Sequence, residues 1–147
     1  MSEFRIKIER NTETTWQFVI ETNVGETRIS ASDFMDPIGA LFSKMRLFLK
    51  NGESSAIVST IDEPEENIFV LNKEDESIRV EVLNFKDYSG ESRDLSKGEV
   101  IFTGTMSFNR FLNQIINSLN HQKGEKHIFD LLEEIVDLRR KTTYNNA

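Results

Sequence analysis

A chain of 147 residues corresponds to about one domain and is long enough to bury on the order of 70% of its unfolded surface, so it can fold without staples. With 37% hydrophobic and 29% charged residues, 11 Phe and only two Pro, it is not a disordered tail, and the lack of Cys excludes disulfide scaffolds, thiolate metal sites and cysteine nucleophiles. The net charge of −7 is concentrated in residues 51–100, where thirteen acids face five bases, a balance that repels phosphate backbones and argues against direct DNA or RNA binding.

No stretch approaches the roughly 18 apolar residues of a membrane span, and the Met1–Arg5 start lacks the apolar stretch of a signal peptide, so a cytoplasmic protein with no membrane partner is expected. The first third of the chain alternates with period two. Phe4, Ile6 and Ile8 share one side of a strand, and Trp16, Phe18 and Ile20 repeat the pattern after an Asn11-Thr12-Glu13 turn. Thr27–Ser30 reads as a shorter third strand. Asp36 before Pro37 then predicts a helix entry, because the Asp side chain accepts from an unpaired N–H and Pro fixes φ where no donor is needed. Ile38, Leu41, Phe42, Met45, Phe48 and Leu49 form its apolar stripe, and Asn51-Gly52 ends it.

Segments 56–61, 68–71 and 78–85 follow as strands with short acidic connections, which favour an antiparallel meander. Ile78, Val80 and Val82 alternate and then Leu83 and Phe85 take the opposite parity, predicting a bulge near Val82-Leu83 or a strand buried on both faces. Lys86–Gly98 is the one long polar loop, and 100–106 returns to strand character. Ser107 caps a helix with Phe108, Phe111, Leu112, Ile115, Ile116 and Leu119 on one face. A last helix carries Ile128, Leu131, Leu132, Ile135 and Leu138, with Phe129 and Val136 widening the stripe, Glu125 and Asp130 early, Arg139–Lys141 late, and a frayed tail from Thr142. The order β-β-β-α-β-β-β-β-α-α predicts a single α+β domain, a largely antiparallel sheet of about seven strands with helices on one face.

Catalytic machinery is not visible. His121 and His127, with Glu125 and Asp130 nearby, straddle a flexible Gly124 and lack the i, i+3 or i+4 spacing of a rigid metal site. Asp62-Glu63-Pro64-Glu65-Glu66 lacks the ligand alternation of a calcium loop, and Ser89-Gly90-Glu91-Ser92 is neither a nucleophile elbow nor a phosphate loop. No catalytic residue, metal or cofactor is therefore expected. Phe42, Phe48, Phe108 and Phe111 define the alternative, a small-molecule pocket or an enzymatic α+β domain, although each falls where a helix must bury it anyway.

The two acidic runs, Asp62–Glu66 and Glu74-Asp75-Glu76, fall at turns. They serve solubility and protect strand edges, and they can also share one acidic edge with the long loop. Leu47, Tyr88, Leu95 and Tyr144 are the apolar or aromatic residues off the stripes, and such residues beside rim charges build partner surfaces. A third reading is a subunit that dimerises through an exposed sheet edge.

In size, lack of cysteine, α+β order, the Asp36-Pro37-Ile38-Gly39-Ala40-Leu41 entry and the Asp62-Glu63-Pro64-Glu65-Glu66-Asn67 turn, the chain resembles the small acidic immunity proteins of bacterial contact-dependent inhibition and related polymorphic toxin systems. The resemblance implies a non-enzymatic cytoplasmic protein that binds one cognate toxin domain, typically a basic nuclease, and blocks its active site or substrate path. The expected partner-binding residues are Asp62, Glu63, Glu65, Glu66, Glu74, Asp75, Glu76, Asp87 and Tyr88. Neutralising Asp62, Glu63, Glu65 and Glu66 is then expected to slow association without unfolding the domain.

Overall fold

The alternating segments form two antiparallel sheets in a computed structural model that describes residues 4–88, 93–122 and 124–145, with side chains as far as Thr142. The first sheet is β1 (Arg5–Arg10), β2 (Thr15–Thr22) and β3 (Gly25–Ser32), in that order. The second is the meander β4 (Ser55–Asp62), β5 (Glu65–Glu74), β6 (Ser77–Phe85) and β7 (Glu99–Ser107). Between and after them come α1 (Pro37–Lys50), α2 (Phe108–Leu119) and α3 (Lys126–Asn145). The α+β class and the element order are as the sequence predicts; the division of the seven strands into three and four is not in the pattern of residues.

One core joins both sheets and the three helices. Inward residues of both sheets, among them Phe18 and Phe69 with ring centroids 5.0 Å apart, meet the helical stripes of Ile38, Leu41 and Met45, of Phe111, Leu112 and Ile115, and of Ile128, Leu132 and Ile135. α1 packs against β4 and α3, while α2 runs along β1. The Ile6 N–H donates to Gln114 Oε1 (2.8 Å) and the Ile8 N–H to Ser118 Oγ (3.1 Å), so α2 closes the outer edge of β1, the edge at which another strand would add. Just before β1, Phe4 meets Phe102 of β7 edge-on at 4.9 Å. Gly104 permits this approach, since a Cβ there would stand 2.7 Å from the Phe4 ring.

β3 runs the full length of β2, from Thr22↔Gly25 to Thr15↔Ser32, because Ile29 and Ala31 both face the core. On the opposite face Val19 is completely buried although it points away from the core. It lies under an ionic lattice in which Lys7 bridges Glu9 and Glu21, and Arg28 bridges Glu9 and Glu26, the long stems covering the apolar side chain.

α1 begins as its sequence dictates. Asp36 Oδ1 accepts from the Gly39 N–H at 3.1 Å and Pro37 occupies the first turn. α3 continues to Asn145 instead of ending near Thr142, whose Oγ1 donates to the Leu138 carbonyl at 2.9 Å. Arg139–Lys141 consequently stand before the last turn, and Glu125 precedes the first, where it pairs with Arg10. The Tyr144 side chain lies outside the described residues. α3 buries one stripe only, so Phe129 and Val136, each rotated about 100° from Ile128 and Ile135, are 39% and 37% exposed and do not widen the buried face.

The start of the fold is clamped at Arg10. Its guanidinium lies 4.2 Å from the Trp16 ring centroid and pairs with Asp33 (2.8 Å) and Glu125 (3.1 Å), while the Trp16 indole N–H donates to Asp33 Oδ1 at 2.7 Å. Arg10 foremost, with Trp16, holds the Asp33 carboxyl below its ordinary value of 3.8. A carboxylate depressed in the folded state adds stability above that value and loses it as pH falls through the lower folded pKa. Asp33→Asn is expected to be less stable than the parent at neutral pH, with the gap narrowing as pH falls below the ordinary carboxyl value of 3.8, as checked by urea unfolding at neutral and at acid pH. A gap independent of pH would remove Asp33 from the acid response.

Candidate functional site

Successive turns of an antiparallel meander lie at opposite ends of its sheet. The Glu63-Pro64 turn between β4 and β5 and the Asp75-Glu76 turn between β5 and β6 are separated by the ten residues of β5, roughly 30 Å of strand. The two acidic runs therefore do not form a shared edge. Glu74, Asp75 and Glu76 sit beside the start of α2, where the Glu76 carbonyl accepts from the Phe108 N–H at 2.7 Å.

At the other end the structure gathers what the sequence scatters. Asp62 and Glu63 lead into the turn through the cis Glu63–Pro64 peptide, and the Tyr88 N–H donates to the Pro64 carbonyl at 2.8 Å, fixing Lys86–Tyr88 against that turn. Asp62, Glu63, Asp87 and Glu99 are exposed and make no ion pair with another described residue, and Tyr88 is 42% exposed beside them. Glu65 is half-buried and lies 3.8 Å from Lys86. Glu99 is the member that sequence reasoning missed. It stands far along the chain from Asp62, and only the pairing Asn84↔Glu99 brings it to this end.

Glu66 is not part of the exposed acidic surface. It is 6% exposed and held from two sides, by Arg93 Nε at 2.5 Å and by the Ser59 hydroxyl. Arg93 in turn stacks on Phe85, 4.3 Å from its centroid. Leu95 packs against Ile68, Leu83 and Phe85, so the far part of the long loop covers the outer face of β5 and β6 and does not present its apolar residue to a partner. This cover explains the parity change in β6: Ile78, Val80 and Val82 face the shared core, and Leu83 and Phe85 face the small outer one. The register shift opposite Val82/Leu83 inserts its extra residue, Ile101, in β7. Ser89–Ser92 lie outside the described residues. Glu66→Gln leaves the partly buried Arg93 without a carboxylate and is expected to cost about 3 kcal/mol in urea unfolding, whereas the exposed Glu63→Gln should stay within about 0.5 kcal/mol.

Between β3 and this end of the second sheet lies a cleft of about 320 Å³, lined by Arg28 and Ser30 on one side and by Asp62, Glu65, Asn67, Asn84, Lys86 and Glu99 on the other. Inside the β-sheet end, Thr60 Oγ1 donates to the Asn67 carbonyl (2.8 Å) and Asn84 Nδ2 to Asn67 Oδ1 (2.9 Å). These buried polar residues stand where alternation alone would place apolar ones.

The other candidates separate. His127 Nε2 lies 3.1 Å from both Asp36 carboxylate oxygens, Asp130 pairs with Lys126, and among the described residues no three His, Asp or Glu side chains converge as metal ligands. Phe42, Phe48, Phe108 and Phe111 are all buried in the shared core, Phe48 and Phe108 edge-on at 5.9 Å. Leu47 is partly buried on α1. A second groove, of about 580 Å³, runs along α3 past Phe129, Leu132 and Val136 with Glu133, Glu134 and Asp137 at its side. No helix among the described residues is long and apolar enough to cross a membrane. Comparison with protein-family models, curated proteins and solved structures finds no match to the chain.

Proposed function

We propose that the chain is a non-enzymatic protein-binding domain of the immunity type, which holds a basic, nuclease-type toxin domain against its acidic end in the cytoplasm and so blocks the toxin's active site or substrate path. One observation carries this reading: Asp62, Glu63, Asp87 and Glu99 converge with Tyr88 at one end of the second sheet and make no ion pair with another described residue. Unpaired carboxylates raise the negative potential of a surface, which accelerates encounter with a positive partner, and an exposed aromatic among them offers an anchor at close range. Glu74–Glu76 serve the opposite end and are left to solubility and edge protection.

The test is a tagged pull-down at low and high salt from the source cells, followed by co-expression with what is recovered. A single stoichiometric basic protein, weakened by salt, whose toxicity is relieved by this chain, is the expected result. Recovery of a partner that is not toxic, or toxicity that co-expression leaves unchanged, would overturn the immunity reading.

A further inference from the structure

The cleft at the acidic end carries a buried acceptor that no described residue satisfies. Asn84 is 7% exposed and lines the cleft, and its Oδ1 has no hydrogen-bond partner among the described residues. Turning this amide by itself does not cure it. Its Nδ2 donates to Asn67 Oδ1 at 2.9 Å and approaches Glu65 Oε2 at 3.4 Å, so a flip would set an oxygen against two oxygens. Two further acceptors in the cleft wall, the carboxylates of Asp62 and Glu99, make no ion pair with a described residue, whereas its cations are engaged: Arg28 with Glu9 and Glu26, Lys86 with Glu65.

A surplus of acceptors, one of them neutral and buried, calls for a ligand with both positive charge and several N–H donors. A metal ion fits poorly, since no three carboxylate or imidazole groups converge among the described residues. The geometry points to a basic side chain of the protein partner, arginine or lysine, entering this cleft, its charge facing Asp62 and Glu99 and one N–H donated to Asn84 Oδ1. This rests on the reading of the chain as a binder of a basic protein and adds where that partner inserts. A buried acceptor left unpaired is costly, and a donor arriving with the partner removes that cost only for a side chain that reaches the cleft, which makes the contact selective as well as attractive.

The inference is tested without the partner, by titrating the ¹⁵N-labelled protein with N-acetyl-arginine amide at low salt and following the side-chain amides of Asn84 and Asn67. A single side-chain contact is expected to saturate at a millimolar Kd. Shifts should centre on Asn84, Asn67, Asp62 and Glu99, and N-acetyl-citrulline amide, uncharged and of similar shape, should leave them in place. Asp62→Asn with Glu99→Gln, both at exposed positions, should raise the Kd by about fivefold or more while the remaining spectrum is unchanged. Asn84→Ala should do the same, and the exposed pair carries the test if that variant disturbs the sheet. Shifts that do not saturate, that appear equally at Glu74–Glu76, or that citrulline reproduces would overturn the inference. Saturation at the cleft in a chain that relieves no toxin would fail the immunity reading alone, and a relieved toxin without saturation would fail the cleft alone.

Discussion

Trp16→Ala is expected to destabilise the domain by about 4 kcal/mol, a large share of the 5–15 kcal/mol that separates a folded domain from its unfolded chain. Trp16 is 2% exposed, among the largest fully buried side chains, and its loss removes three things together. The ring's core contacts leave a cavity between β2 and the helices, the indole N–H no longer reaches Asp33 at 2.7 Å, and the Arg10 guanidinium loses the face it covers at 4.2 Å. Arg10 Nη1 is already buried without a partner among the described residues, so the clamp has little to fall back on. Trp16→Phe separates the contributions. It keeps most of the ring and should cost about 1–2 kcal/mol, chiefly the lost hydrogen bond. Trp16 is the only tryptophan, so its fluorescence reports unfolding in the parent, and the variants must be followed by far-ultraviolet circular dichroism in urea. A loss below about 1 kcal/mol for the alanine variant would mean that the clamp is not packed as described.

What a residue pattern can reveal is set by how local its cause is. The α1 entry is legible because Asp36, Pro37 and Gly39 settle it within four residues, and α2 because six apolar side chains repeat at helical spacing on one element. The inward strand faces follow from alternation for the same reason. β5 is read too short because Glu66 and Asn67 are polar, and their burial depends on Arg93 and Asn84, 27 and 17 residues further on. Leu95 looks like a free anchor until the loop is seen folded onto Ile68, Leu83 and Phe85. The position of the two acidic turns is a different matter. A meander fixes them at opposite ends by its hydrogen-bonding geometry alone, so their separation follows from the predicted topology even though charge composition suggests a common surface. The cleft could not be read at all, because Arg28, Asp62, Asn84 and Glu99 meet only through strand register and the contact of β3 with the second sheet.

That separation allows a comparison in which net charge is held constant. Asp62→Asn, Glu63→Gln and Asp87→Asn together remove three negative charges from the proposed partner-facing end, and Glu74→Gln, Asp75→Asn and Glu76→Gln remove three from the far end. All six residues are exposed, and Glu66 is left untouched because its loss would weaken the fold and confound the result. At physiological salt the Debye length is about 8 Å, far shorter than the roughly 30 Å of β5 between the turns, so each set acts on its own surroundings. The first set is expected to slow association with the basic toxin domain by about tenfold at physiological salt and to flatten the salt dependence, and the second to change the rate by less than about threefold. Stopped-flow association at several salt concentrations reads both. Equal slowing by the two sets would mean that overall charge, and not a site, attracts the partner. Slowing by the far set alone would move the interface to the start of α2, where Glu74–Glu76 lie beside Phe108, and an unchanged rate in both would remove the acidic turns from association altogether.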